Sequence, residues 1–299
     1  PGTVIEDAIL DAARNNYLAA VFRAPRGPRG LALFDLSTGD FSVEELAGDD
    51  TLRDTLRRQA PSECLVAAGQ HADPALAALL RDAAIPAVTD VEDWTFQHDV
   101  ARDVLLRHFQ VHSLDGFGCE GRPALIGAAG ALLHHVRDEL RRPVTHVRTL
   151  QIRQAGDCLM LDEATCANLD LVPLRGRPAA ATLLGVLDNT RTPMGARLLR
   201  HWLQRPPGAL AVITARHDAV ACLCQTRAVL NGLRGQLGEV RDLERLITRI
   251  GSGLGNGRDL RALATSLQGL PALIGLLAPV DDALIRDQAA RLHPLPELV

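Results

Sequence analysis

Asp35, Asp40 and Glu44 lie within ten residues of one another, on and around a segment of strand-like alternation. Carboxylates converging from strands and turns can hold two divalent cations and activate water against a phosphodiester, so a metal-dependent nuclease using Asp35 and its neighbours is one chemistry this pattern allows. Glu63, Asp90 and Asp93 extend the candidate set, none in a diagnostic context. The plain alternative, solvated strand and turn carboxylates, is the one the spacing favours. His108 with His112 straddles a helix end without an acidic or cysteine companion, and the adjacent His134 and His135 point about 100° apart on a helix, so neither pair makes a metal site. Cys222 and Cys224 fall on different faces of a helix and are expected to be small core residues. GSGLGNG (Gly251–Gly257) follows a helix, not a strand, and lacks the phosphate-loop lysine, which makes it a helix-to-helix turn.

The chain contains no lysine, and all 32 of its cationic side chains are arginines. Any mechanism needing a lysine is excluded. Arginines gather at Arg197, Arg200 and Arg205, and again at Arg227, Arg234, Arg241, Arg245 and Arg249, where Asp218, Glu239, Asp242 and Glu244 interleave. A solvated face laced with helical ion pairs is the expectation there. The net charge of -4 argues against a surface that grips nucleic acid all over. Six cysteines without a C-x-x-C pair, in a chain too long to need staples, point to reduced thiols and the cytoplasm. No apolar run approaches the ~20 residues of a membrane span.

These side chains must be positioned by two kinds of architecture. A length of 299 residues suggests two domains. Strand signals at Asn15–Pro25 and across Gly30–Leu46, broken by the Ser-Thr-Gly-Asp turn, predict a three-strand antiparallel meander. A helix over Thr51–Gln59, the strand ECLVA, a helix over PALAALLRDA and an apolar stretch at Ala84–Val91 complete a mixed sheet flanked by helices. Helices then dominate, and a boundary is placed near Arg142–Pro143. A short extended pair, VRTLQIRQ with DCLMLDEA, leads into them. Thr192 before Pro193 predicts an N-cap, with Met194, Leu198 and Trp202 on one apolar face and Pro206-Pro207 as the stop. Asp242 and Asp259 are expected to cap helices whose apolar faces carry Leu243, Leu246, Ile247 and Ile250, and Leu260, Leu263, Leu267 and Leu270.

LLRHFQVHSLDGFG, LDEATCANLDLV, LDNTRTPMGARLLRHWL and VRDLERLITRI, in this order and at this spacing, resemble an interior piece of the bacterial MutS mismatch-repair family. PGTVIEDAILDAARNNYLAAV and GLALFDLSTGDFSV are similar to the start of that family's connector domain. The departure at Cys166–Asn168, a place often more charged, is minor. The resemblance implies an α/β fold: a ribonuclease-H-like connector over residues 1–142, then a mainly α, partial core or lever domain over 143–299. It implies a non-catalytic segment of a mismatch-repair ATPase, transmitting between mismatch recognition, clamp and ATPase, with MutL docking on the connector. The family's dimerisation, its mismatched double-stranded DNA, and its ATP and magnesium would belong to the parent protein, of which this would be a truncated part without its own cofactor, catalytic residue, metal or membrane. Leu187, Asp188, Thr192, Pro193, Met194, Gly195 and Arg197 match the family's motif and are assigned to architecture.

Overall fold

The computed structural model describes residues 1–6, 9–24, 27–154, 156, 158–159, 161–173 and 179–298. Of the predicted extended stretch DCLMLDEA, residues 157 and 160 therefore lie outside the described residues.

β1 (Leu18–Arg23), β2 (Arg29–Asp35) and β3 (Asp40–Leu46) form the antiparallel meander. The β2–β3 turn closes through the Gly39 amide on the Asp35 carbonyl at 2.8 Å, with Gly39 in the left-handed region at φ 77°. β4 (Glu63–Ala67) adds in parallel to β1, and β5 (Val88–Val91) in parallel to β4. The order β5-β4-β1-β2-β3 is the mixed sheet of the expected ribonuclease-H-like fold, and a sixth strand, β6 (Gln151–Arg153), pairs in parallel with β3. VRTLQIRQ thus joins the sheet edge through Gln151–Arg153, and among the described residues it makes no ladder with DCLMLDEA. Cys158 makes one bridge to Pro207. The first core also reaches past residue 142, taking in Val144, Val147 and Leu150.

Alternation sorts the strands onto two cores. Leu18, Ala20, Ala32 and Phe34 face α3 (His98–Phe109) and α4 (Pro123–His134), while Ala19, Val21, Leu31 and Leu33 face α1 (Asp49–Gln59) and α2 (Pro74–Asp82). α4 is buried all round, which its sequence PALIGAAGALLH permits because small residues let backbones close in. A Cβ on Gly30 would sit 1.9 Å from the Ala124 carbonyl oxygen, and one on Gly130 would sit 2.4 Å from Ala101. Beyond α4 the helix widens to five-residue spacing over His135–Glu139. The two histidines serve that end: His135 meets Glu139 at 2.6 Å, and His134 stacks edge-on with Trp94. His108 meets the Val147 carbonyl at 2.8 Å.

The remainder is helical: α5 (Glu163–Asn168), α6 (Leu183–Leu187), α7 (Pro193–Gln204), α8 (Leu210–Gln225), α9 (Arg227–Glu239), α10 (Leu243–Gly251), α11 (Gly257–Gln268), α12 (Leu270–Leu277) and α13 (Ala283–Ala290). Small clusters hold it, around Leu171 and Leu184, around Ala219, Val280 and Ile285, and around Leu233, Val240 and Leu273. GSGLGNG is the α10–α11 turn, as its composition implies. Asn256, not Asp259, caps α11; Asp259 sits at the third helical position and returns a bond to the Asn256 amide. Cys222 packs in a cluster but Cys224 is exposed, so only one of that pair is a core residue.

The apolar faces expected of α7, α10 and α11 are only partly inward. Leu198, Trp202, Ile247 and Leu260 are exposed, whereas Arg197, Arg245, Thr248 and Asp259 are buried. One stretch also runs against the expectation of no membrane-length segment: Gly257–Leu277, spanning α11 and α12, is long and apolar enough to be a candidate span. It carries Arg258, Asp259 and Arg261 in its first turns and packs Leu273 against Leu233 and Val240.

Candidate functional site

α7 is launched by its own sequence. The Thr192 hydroxyl accepts from the Gly195 amide at 3.0 Å, Pro193 presets the first turn, and Asp188 orders the approach by accepting from the Thr190 amide and hydroxyl. A side chain on Gly195 would press on this cap at 3.0 Å, so the glycine packs onto the cap and not onto a second helix. Met194 joins the Leu233 cluster, and Leu187 stays half exposed at the end of α6. Leu187 to Arg197 thus set where α7 starts and which way it points.

The carboxyl end of α7 meets the sheet. Arg205 donates to both oxygens of Glu44 at 3.1 Å, with side chains only 6% and 1% exposed. Gln204 donates to the Arg58 carbonyl at 2.8 Å, and Arg58 reaches forward to the Leu161 carbonyl. On β6, Arg153 lies over the Tyr17 ring and contacts its hydroxyl at 3.3 Å and Asp40 at 3.5 Å, while Tyr17 donates to Asp40 at 2.7 Å. Burial first, then Asp40, pushes the Tyr17 phenol well above its ordinary value, so it stays a donor. His201, on the same helix, is pushed down to about 4 by burial and by Arg153 and Arg205, and is a neutral ring at neutral pH.

The other end of α7 meets a different part of the sheet domain. Arg197, buried, donates to Asp242 at 2.7 and 2.8 Å, to Glu244 at 2.6 Å and to the Ala12 carbonyl at 3.0 Å. Burial alone would lower its pKa, but the two carboxylates outweigh it and the shift is upward. Asp242 also accepts from the Arg245 amide as the cap of α10.

The acidic residues that suggested a nuclease are all engaged otherwise. Asp35 is fully buried and accepts from Asn15, the Asn16 amide, the Ser37 amide and the Ser37 hydroxyl. Asp40 belongs to Tyr17 and Arg153, Glu44 to Arg205, Glu63 to the Gly2 amide and Thr89, Asp90 to His71, and Asp93 to the Gly69 amide. Among the described residues no group of three or more His, Cys, Asp or Glu could hold a metal ion. The nuclease alternative therefore has no support in the geometry. The arginine stripe is corrected too: Arg197, Arg205 and Arg245 are buried between the two parts of the chain. Arg58, Arg153, His201 and Gln204 were absent from the sequence-based candidates, because only partners far along the chain reveal them.

Comparison with known proteins decides what this joint belongs to. Residues 16–148 match MutS domain II and residues 164–298 match MutS domain III. The chain belongs to the MutS family. Over its whole length it is 41% identical to the DNA mismatch repair protein MutS of Myxococcus xanthus, 37% to that of Chlorobaculum tepidum and 42% to that of Anaeromyxobacter dehalogenans, covering 34%, 34% and 33% of those proteins. It therefore spans about a third of the length of the curated relatives it matches. In MutS terms the sheet belongs to the connector, domain II, and the helices from α5 onward belong to the core, domain III. The ionic joint described above fastens the one to the other.

Proposed function

We propose that this chain acts as a non-catalytic connector and lever segment of a MutS-type mismatch-repair ATPase, relaying movements between mismatch recognition, clamp and ATPase, with the connector as a docking surface for MutL. On this reading the parent protein dimerises, binds mismatched double-stranded DNA in the cytoplasm, and binds ATP and magnesium outside these residues. The connector is read as residues 1–142 and the helical core or lever as residues 143–299, with Val144, Val147, Leu150 and β6 packed on the connector's side. Leu187, Asp188, Thr192, Pro193, Met194, Gly195 and Arg197 are architectural: they set the start and direction of the strut that carries the relay.

The observation that carries the proposal is α7 itself, tied at Arg197 to the segment before β1 and at Arg205 to β3. Eight positions apart on a helix, these arginines lie about 12 Å apart along its axis. A strut fixed at both ends moves the connector whenever the core moves. The test is direct: the purified chain should turn over no ATP, bind mismatched and fully paired duplexes alike, and bind immobilised MutL weakly. ATP hydrolysis by the pure chain would overturn the non-catalytic assignment, and no retention of MutL would remove the docking surface.

A further inference from the structure

The turn at residues 11–14 precedes the sheet and belongs to no strand. Its internal bonding is slight: the Arg14 amide reaches the Asp11 carbonyl at 3.3 Å, and the Ala13 amide reaches the Asp11 carboxylate at 2.9 Å. What faces it is a pair of buried guanidinium groups from the helical domain. Arg245 of α10 donates to the Asp11 carbonyl at 2.9 Å and the Arg14 carbonyl at 3.0 Å, and Arg197 of α7 donates to the Ala12 carbonyl at 3.0 Å. Three of the turn's four carbonyls are thus taken up from 185 to 234 positions away. Immediately downstream, Asn15 and the Asn16 amide are held by Asp35 at the end of β2.

We propose that residues 11–14 form a strap latched by Arg245 and Arg197, which closes only when α7 and α10 are in place and opens as a unit when they shift. The strap is a second attachment between connector and core, separate from the Arg205–Glu44 contact, and it stands on this geometry whatever the relay's role in repair. Asp242 ties the two latch arginines together, since it caps α10 at the Arg245 amide and holds the Arg197 guanidinium. Displacement of α10 therefore withdraws Arg245, which holds two of the three carbonyls, and takes Asp242 away from Arg197. Charge-assisted bonds to carbonyls are stronger than neutral ones, so losing two of three frees the strap while the sheet, with its own core, stays folded.

Arg14 makes the latch measurable. Its side chain is exposed while its carbonyl is held, so the bond to Asn15 is a site for trypsin that the latch protects. Because the chain has no lysine, every tryptic site is an arginine, and Arg81 at the end of α2 reports on the sheet domain within the same digest. In limited digestion of the full chain, Arg245→Ala should accelerate cleavage after Arg14 by about tenfold or more, with the rate after Arg81 unchanged. Arg245→Lys keeps the charge and the stem but not the fork, and should give an intermediate rate. Unchanged cleavage after Arg14, or equal acceleration at Arg14 and Arg81 in both variants, overturns the latch.

Discussion

Replacing Arg205 with Met would leave Glu44 buried and without its partner. Side-chain exposures of 6% and 1% place this pair where removing one charge costs about 3–5 kcal/mol, because the survivor is stranded in a poor dielectric. Arg58 and Arg153 stay within Coulomb range of Glu44 and soften the loss, which puts the expectation at the lower end, about 3 kcal/mol. With a denaturant slope of ~2 kcal/mol per molar, that is a shift of about 1.5 M in the urea midpoint. The two tryptophans divide the readout, since Trp94 lies in the sheet domain and Trp202 on α7, so Trp94→Phe and Trp202→Phe backgrounds report the domains separately. Trp202 stacks beneath Arg216 at 3.8 Å and should respond as α7 detaches. The double variant Glu44→Leu with Arg205→Met should recover at least ~1.5 kcal/mol relative to the sum of the singles. A midpoint shift below about 0.3 M for Arg205→Met at both probes, or strict additivity in the double variant, would refute the reasoning.

Thr192→Ala removes the cap of α7 and should cost about 1 kcal/mol at the Trp202 probe while leaving Trp94 unmoved. Gly30→Ala sets a methyl against the Ala124 carbonyl and should destabilise the sheet domain by ~3 kcal/mol or more, seen as an early Trp94 transition; a wild-type midpoint would contradict the close approach. His201, at about 4 in the folded chain against an ordinary 6.5, takes its proton first in the unfolded state. Its contribution is therefore complete above pH 6.5 and is lost as pH falls towards 4, so His201→Gln should flatten the slope of stability across that window. Glu120, held at about 2 by Arg102 and then by the Leu114 amide, contributes fully above its ordinary 4.5 and loses this as pH falls towards 2; Glu120→Gln should show less acid loss there.

The meander was legible because its strands alternate around a Ser-Thr-Gly-Asp turn, and α4 because ten successive apolar or small residues admit no solvent face. Caps such as Thr192 and Asp242 were legible as well, being local chemistry of three or four residues. The buried arginines were not. Helical periodicity assigns charges to solvent, and what turns Arg205 inward is Glu44, 161 positions earlier. The same logic hid the partner of β6, whose extended character was legible but which pairs with a strand more than a hundred residues back, and hid the exposure of Leu198 and Trp202. Local pattern specifies elements; the joint between them is written in pairs far apart in the chain.

The exclusive use of arginine bears on why this joint is ionic at all. A buried ion pair adds little net stability over an apolar contact of the same shape, but it is intolerant of misregistration, because a guanidinium displaced by an ångström or two strands both partners. Arg205 holds both oxygens of Glu44 through Nη1 while Nη2 reaches the Gln154 carbonyl at 3.5 Å, and Arg197 satisfies two carboxylates and a carbonyl with one planar group. A lysine, with one nitrogen on a flexible stem, could do neither. Such contacts favour two sharply defined arrangements, engaged or released, over a continuum of slipped ones, and that is the property a relay between two folded parts requires.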